Sequence, residues 1–112
     1  MQLGIERRGQ VTILRPELDT IDANNAKELK RRLGALVGDH PKMVLDLAQV
    51  GFLDSSGLGV ILSTLRKLTA DGGDLKLCHV TPPVRALLEM VRMHKIVEII
   101  DGPDEAVRSW AG

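Results

Sequence analysis

A mixed α/β fold is predicted, with one sheet and helices packed mainly on one of its faces, and three observations predict it. Short apolar runs alternate with longer stretches whose apolar residues recur at helical spacing. Turns rich in Gly and Pro separate them. The order reads ββαβαβαβα, with no internal repeat, low-complexity tract or linker, so the 112 residues are expected to form a single domain. Strand–helix–strand units make the later connections parallel and right-handed by default.

Leu3 to Arg7 and Val11 to Leu14 are apolar-rich runs on either side of Arg8-Gly9-Gln10, a hairpin signal. After the Pro16-Glu17-Leu18-Asp19 turn, Ala26, Leu29, Leu33, Leu36 and Val37 mark a first helix, with Asp22 as its expected cap and Gly38 at its end. Lys42 to Leu47 is too short for a helix and apolar enough for a buried strand. Leu58, Ile61, Leu62, Leu65 and Leu68 define one face of a second helix that runs out by Asp71-Gly72-Gly73. Leu75 to Val80 is the next strand. Pro82 and Pro83 suit the first turn of a third helix, whose apolar side is Val84, Leu87, Leu88 and Val91. Ile96 to Ile100 reads as a last strand and Asp104 to Trp110 as a closing helix.

Composition excludes several classes of function. Fifteen basic residues balance fifteen acidic ones, and the aromatics are one Phe and one Trp. A nucleic-acid surface shows as a basic excess or as stacking aromatics, and neither is present. No apolar run approaches the roughly 20 residues of a membrane span, and Met1 to Glu6 carries no signal-peptide pattern. A cytoplasmic protein without direct membrane insertion is expected. Cys78 stands alone between Leu77 and His79, which leaves no intramolecular disulfide or cysteine metal cluster. It reads as a buried strand residue.

Asp54-Ser55-Ser56-Gly57-Leu58-Gly59 places hydroxyls where the second helix begins. Serine or aspartate there can accept hydrogen bonds from the unpaired N–H groups of the first turn. The same position suits a phosphorylation switch, because a phosphate carries about −1.5 to −2 charge and meets the positive end of the helix dipole. Glycine costs roughly 1 kcal/mol against alanine inside a helix, yet Gly57 and Gly59 bracket Leu58. Their missing side chains leave room for another backbone. Gly59, Val60, Ser63, Thr64 and Lys67 fall off the apolar stripe and are expected to form the exposed, docking side of this helix.

Asp19, Asp46 and Asp54 read as turn and strand-end carboxylates, since no histidine stands at ligand spacing. No metal or cofactor is expected. His40, His79 and His94 form no motif. A hydrolase needs an oriented base, and Asp-Ser-Ser-Gly lacks the Gly-x-Ser-x-Gly elbow. Gly57-Leu58-Gly59 with no following Gly-Lys-Ser/Thr is no nucleotide loop. The chain is therefore read as a binding protein, not an enzyme.

Phe52 to Leu62, preceded by Val44-Leu45-Asp46-Leu47, resembles the signature of the anti-sigma factor antagonists (anti-anti-sigma factors) of the STAS domain family. Leu3-Gly4-Ile5, Glu17-Leu18-Asp19, Gly72-Gly73 and Glu105-Ala106 also sit in family order. Pro16 departs from it, standing where the turn usually has glycine, as does Val91-Arg92-Met93 where Gly-Leu is often found. The resemblance implies a STAS-like mixed sheet and a cytoplasmic phosphoprotein that controls a sigma factor by partner switching. It implies that Ser55 accepts phosphate from an anti-sigma factor serine kinase, that a serine phosphatase resets it, and that Asp19 and Asp54 lie at the partner surface. Together with Ser56, Gly57, Gly59, Val60, Ser63 and Lys67, these form the expected partner-binding set. The alternative within the same family is a scaffold subunit of a stress-signalling complex or of a lipid-transport ATPase assembly.

Overall fold

The computed structural model describes residues 1–38 and 41–110, so His40 lies outside the described residues. β1 (Leu3–Arg8) and β2 (Val11–Pro16) form the expected antiparallel hairpin. β4 (Lys42–Asp46), β6 (Asp74–Cys78) and β7 (Glu98–Ile100) extend the sheet in parallel, giving the order β1-β2-β4-β6-β7. Four helices connect and cover it: α1 (Ala26–Val37), α2 (Ser55–Ala70), α3 (Pro82–Met90) and α4 (Pro103–Ser109). Two strands absent from the sequence reading, β3 (Thr20–Ile21) and β5 (Phe52–Leu53), pair in parallel apart from the main sheet. Two residues offer no alternation to read.

Strand alternation divides the core between the two faces. On one, Leu14, Leu45 and Leu77 stand in register across β2, β4 and β6. Leu29 and Leu33 of α1, Ile61 and Leu68 of α2, and Val84 and Leu88 of α3 complete the same fully buried cluster. Each such side chain contributes about 1.5–3 kcal/mol when withdrawn from water, so this face anchors three helices. The other face is smaller. Val11, Ile13, Val44 and Cys78 pack under Ala106 of α4, with Val107 and Trp110 at the margin.

Polar contacts fasten α4. Arg8 pairs with Asp104, and that hydrogen bond, with the Arg8 charge behind it, holds the Asp104 carboxyl below its usual range. The buried Lys76 ammonium reaches Ser109 Oγ, lies 3.2 Å from Glu98 Oε2 and sits 4.4 Å from the centroid of the Trp110 ring. Burial pushes the Cys78 thiol up to about 12, with the Asp46 charge as a second cause, so it is protonated at neutral pH. Among the described residues, no helix is long and apolar enough to cross a membrane.

Some boundaries differ from the sequence reading for local reasons. β6 stops at Cys78, not Val80, because His79 adopts a left-handed φ of +50°. α3 stops at Met90 because Arg92 is left-handed as well, at +65°. That turn feeds a short 3₁₀ segment, Met93–Lys95, which puts Met93 and Val97 into the core and leaves Val91 and Ile96 exposed. Asp22 caps a turn ahead of α1: its Oδ1 accepts from Asn24 N–H at 2.9 Å and its carbonyl from Ala26 N–H at 2.8 Å.

Candidate functional site

Asp54, the residue before α2, has an extended backbone and turns its carboxylate over the helix end. Oδ1 accepts from the N–H groups of Ser56 at 2.8 Å and Gly57 at 3.2 Å. The aspartate is therefore the cap, and Ser55 is the first helical residue. Ser55 is exposed, and among the described residues its Oγ makes no hydrogen bond. A phosphate on Ser55 does not find these two donors waiting, as the sequence suggested, because Asp54 already occupies them. Asp54→Ala is expected to cost about 1–2 kcal/mol of stability in urea unfolding. An unchanged midpoint would show that the cap carries no weight.

β3 and β5 set the position of this helix start. Gly51 N–H donates to the Asp19 carbonyl at 2.8 Å, and Asp54 N–H to the Ile21 carbonyl at 3.2 Å. The turn bearing the exposed Asp19 is thereby laid beside the segment leading to Asp54. Gly57 closes the joint from the helix side. A Cβ there would stand 2.7 Å from the Ile21 carbonyl oxygen and 2.7 Å from Leu53 Cβ. Its missing side chain admits the backbone of β3, which is the close approach of another backbone that the sequence predicts, and Gly57 itself is buried. Gly59 does have open space where a Cβ would be.

The expected docking side of α2 is only partly exposed. Gly59 and Lys67 face solvent and Ser63 is half-buried, but Val60 is 2% and Thr64 4% exposed. Both are covered because α1 packs along this flank, and Thr64 Oγ1 donates to the Val60 carbonyl within the helix. Ser56 and Ser63 instead border a hollow of about 330 Å³ between α1 and α2, with Lys27 and Lys30 on its far wall. Those lysines escaped the sequence reading. Their signal was the spacing of Lys27, Lys30 and Arg31 on the polar side of α1.

Asp46 is fully buried, unlike Asp19 and Asp54, and belongs to a different group. Its Oδ2 accepts from Arg15 Nε at 3.0 Å and Nη2 at 2.9 Å, while Oδ1 accepts from Ala48 N–H at 3.0 Å and lies 3.1 Å from His79 Nδ1. Asp46, Cys78 and His79 bring potential metal-ligating atoms within 4.8 Å of one another. Both carboxylate oxygens are already engaged, by Arg15 on one side and by Ala48 N–H and His79 on the other. The group joins the ends of β2, β4 and β6.

A five-stranded sheet opened by an antiparallel hairpin, three helices on one face, and a serine at the exposed start of α2 define a STAS-type domain. Residues 2–106 match the STAS domain family, and the chain belongs to it. It is 43% identical to the anti-sigma F factor antagonist of Paenibacillus polymyxa over 65 residues, 58% of this chain and 56% of that relative. The match thus spans just over half of the relative's length. The crystal structure of an anti-sigma factor antagonist from Mycobacterium paratuberculosis shares the fold with a TM-score of 0.85 at 27% identity, covering 96% of this chain and 92% of that one. The Bacillus cell fate determinant SpoIIAA in its phosphorylated form is similar in fold, with a TM-score of 0.74 at 18% identity, covering 99% of this chain and 100% of that one.

Proposed function

We propose that this chain is an anti-sigma factor antagonist whose unphosphorylated form binds an anti-sigma factor serine kinase and frees the sigma factor. Phosphorylation of Ser55 switches that binding off. The observation that carries this reading is the division of labour at the start of α2, where Asp54 caps the helix and leaves the exposed Ser55 hydroxyl unengaged. A serine that capped its own helix would have to give up that bond to react. The family and the names of the relatives support the same reading.

In the transfer, Ser55 Oγ attacks the γ-phosphorus of ATP held by the kinase. The bond from that phosphorus to the β–γ bridging oxygen breaks, ADP leaves, and the hydroxyl proton passes to a base of the kinase. This chain supplies only the acceptor and its setting. A serine phosphatase resets it by hydrolysis.

Incubation with the anti-sigma kinase and ATP is expected to add one phosphate to the wild type and none to Ser55→Ala, read by intact-mass and peptide mass spectrometry. Phosphate on Ser56 or Thr64 would overturn the site. Ser56 borders the α1–α2 hollow and Thr64 is buried, so neither is as open to a kinase as Ser55.

A further inference from the structure

A second, open trough of about 870 Å³ shares Lys27 and Lys30 with the hollow at the helix start. Lys27, Lys30 and Arg31 line it from α1 and Lys67 from α2. One acid, Glu28, joins them, 3.9 Å from Arg31. No carboxylate among the described residues pairs with Lys27, Lys30 or Lys67. Gly34 and Ala35 keep the α1 wall low, and Lys67 Nζ donates to the Gly34 carbonyl at 3.3 Å. A Cβ at Gly34 would stand 3.1 Å from that ammonium.

Formal charge over the whole chain is zero, so four cations against one acid in a single trough are a local concentration. Like charges facing each other are mutually unfavourable until an anion enters between them. Lys27 and Lys30 also border the smaller hollow that holds Ser56 and Gly59, so the positive field runs up to the start of α2. The lining has no aromatic to stack a base, and Trp110 belongs to the α4 face. It has no large apolar side chain to enter a lipid surface either.

We propose that this trough docks a carboxylate-rich segment of the anti-sigma partner, steering it onto the α2 start and fixing its orientation there. The inference rests on the reading that the chain binds such a partner and adds the chemistry of the contact. Complementary charge of this kind acts mostly on association rate and on salt dependence.

The direct test titrates an acetylated octaglutamate amide into ¹⁵N-labelled protein. Amide shifts are expected over 27–35 and 56–67, with loss in 0.5 M NaCl and in the double variant Lys30→Glu/Lys67→Glu. Both residues are exposed, and the variant's unchanged spectrum outside the trough checks its fold. No localised shift, or tighter binding of octathymidylate or of phosphatidylglycerol vesicles, would overturn the acidic-protein assignment.

In the second arm, phosphorylation by the kinase that modifies the wild type is expected to lose at least about tenfold in kcat/KM in the double variant, with the loss shrinking as salt rises. Unchanged kcat/KM with normal modification of Ser55 would overturn the trough and leave the switch standing. Octaglutamate binding without any association with an anti-sigma kinase would overturn the functional reading, and with it the partner named here.

Discussion

Alanine at Gly57 is expected to destabilise the protein by about 2 kcal/mol, whereas alanine at Gly59, two residues along the same helix, is expected to stabilise it by up to about 1 kcal/mol. Helix propensity alone favours both substitutions. The sign at Gly57 reverses because its new methyl would meet the Ile21 carbonyl and Leu53 Cβ at 2.7 Å each, and neither is the loose end of a flexible chain. To admit it, β3 must draw back from α2, straining the Asp54–Ile21 hydrogen bond and the turn that carries Asp19. Nothing stands within 4 Å of the corresponding position at Gly59. Urea unfolding of the pair checks this. Equal stability of Gly57→Ala and wild type would show that the joint between β3 and α2 is compliant.

The second large effect concerns binding. Phosphate on Ser55 is expected to weaken association with the anti-sigma kinase by more than a hundredfold, corresponding to about 3 kcal/mol. Ser55→Asp, with a single charge and no tetrahedral group, is expected to lose about tenfold. The cause is desolvation: a partner closing on the phosphate strips its water, and the Ser56 and Gly57 N–H groups that could have offset the loss are already held by the Asp54 carboxylate. Ser55→Ala is expected to bind within about threefold of wild type, since removing an unengaged hydroxyl costs no bond. Calorimetry on the four forms separates charge from shape. Equal affinities for wild type and phosphoprotein would sink the charge mechanism.

Much of the architecture was legible because it depends on periodicity. The five sheet strands, the four helices and the core positions Leu29, Leu33, Ile61 and Leu68 all follow from apolar spacing. What was hidden depends on approach between segments distant in sequence. β3 and β5 exist through their mutual pairing and contact with α2, which no local window contains. Val60 and Thr64 sit off the apolar stripe of α2, and only the placement of α1 beside it buries them. At the helix start, Asp54 and Ser55 were equivalent as caps by composition. The backbone angle at Asp54 decides between them. The Arg15–Asp46–His79 group draws one residue from each of three chain regions, and nothing in the sequence ties them together.

The strand order β1-β2-β4-β6-β7 rises steadily along the chain. Each strand joins the free edge left by its predecessor, and none has to be threaded between two that are already paired. Loop closure is therefore met in modest instalments. A chain emerging from the ribosome can add one strand and its helix at a time to a growing surface. The segments that form the joint beneath Ser55, at 20–21 and 52–57, precede β6 and β7 in the chain, so this pairing is available before the last two strands of the sheet are added.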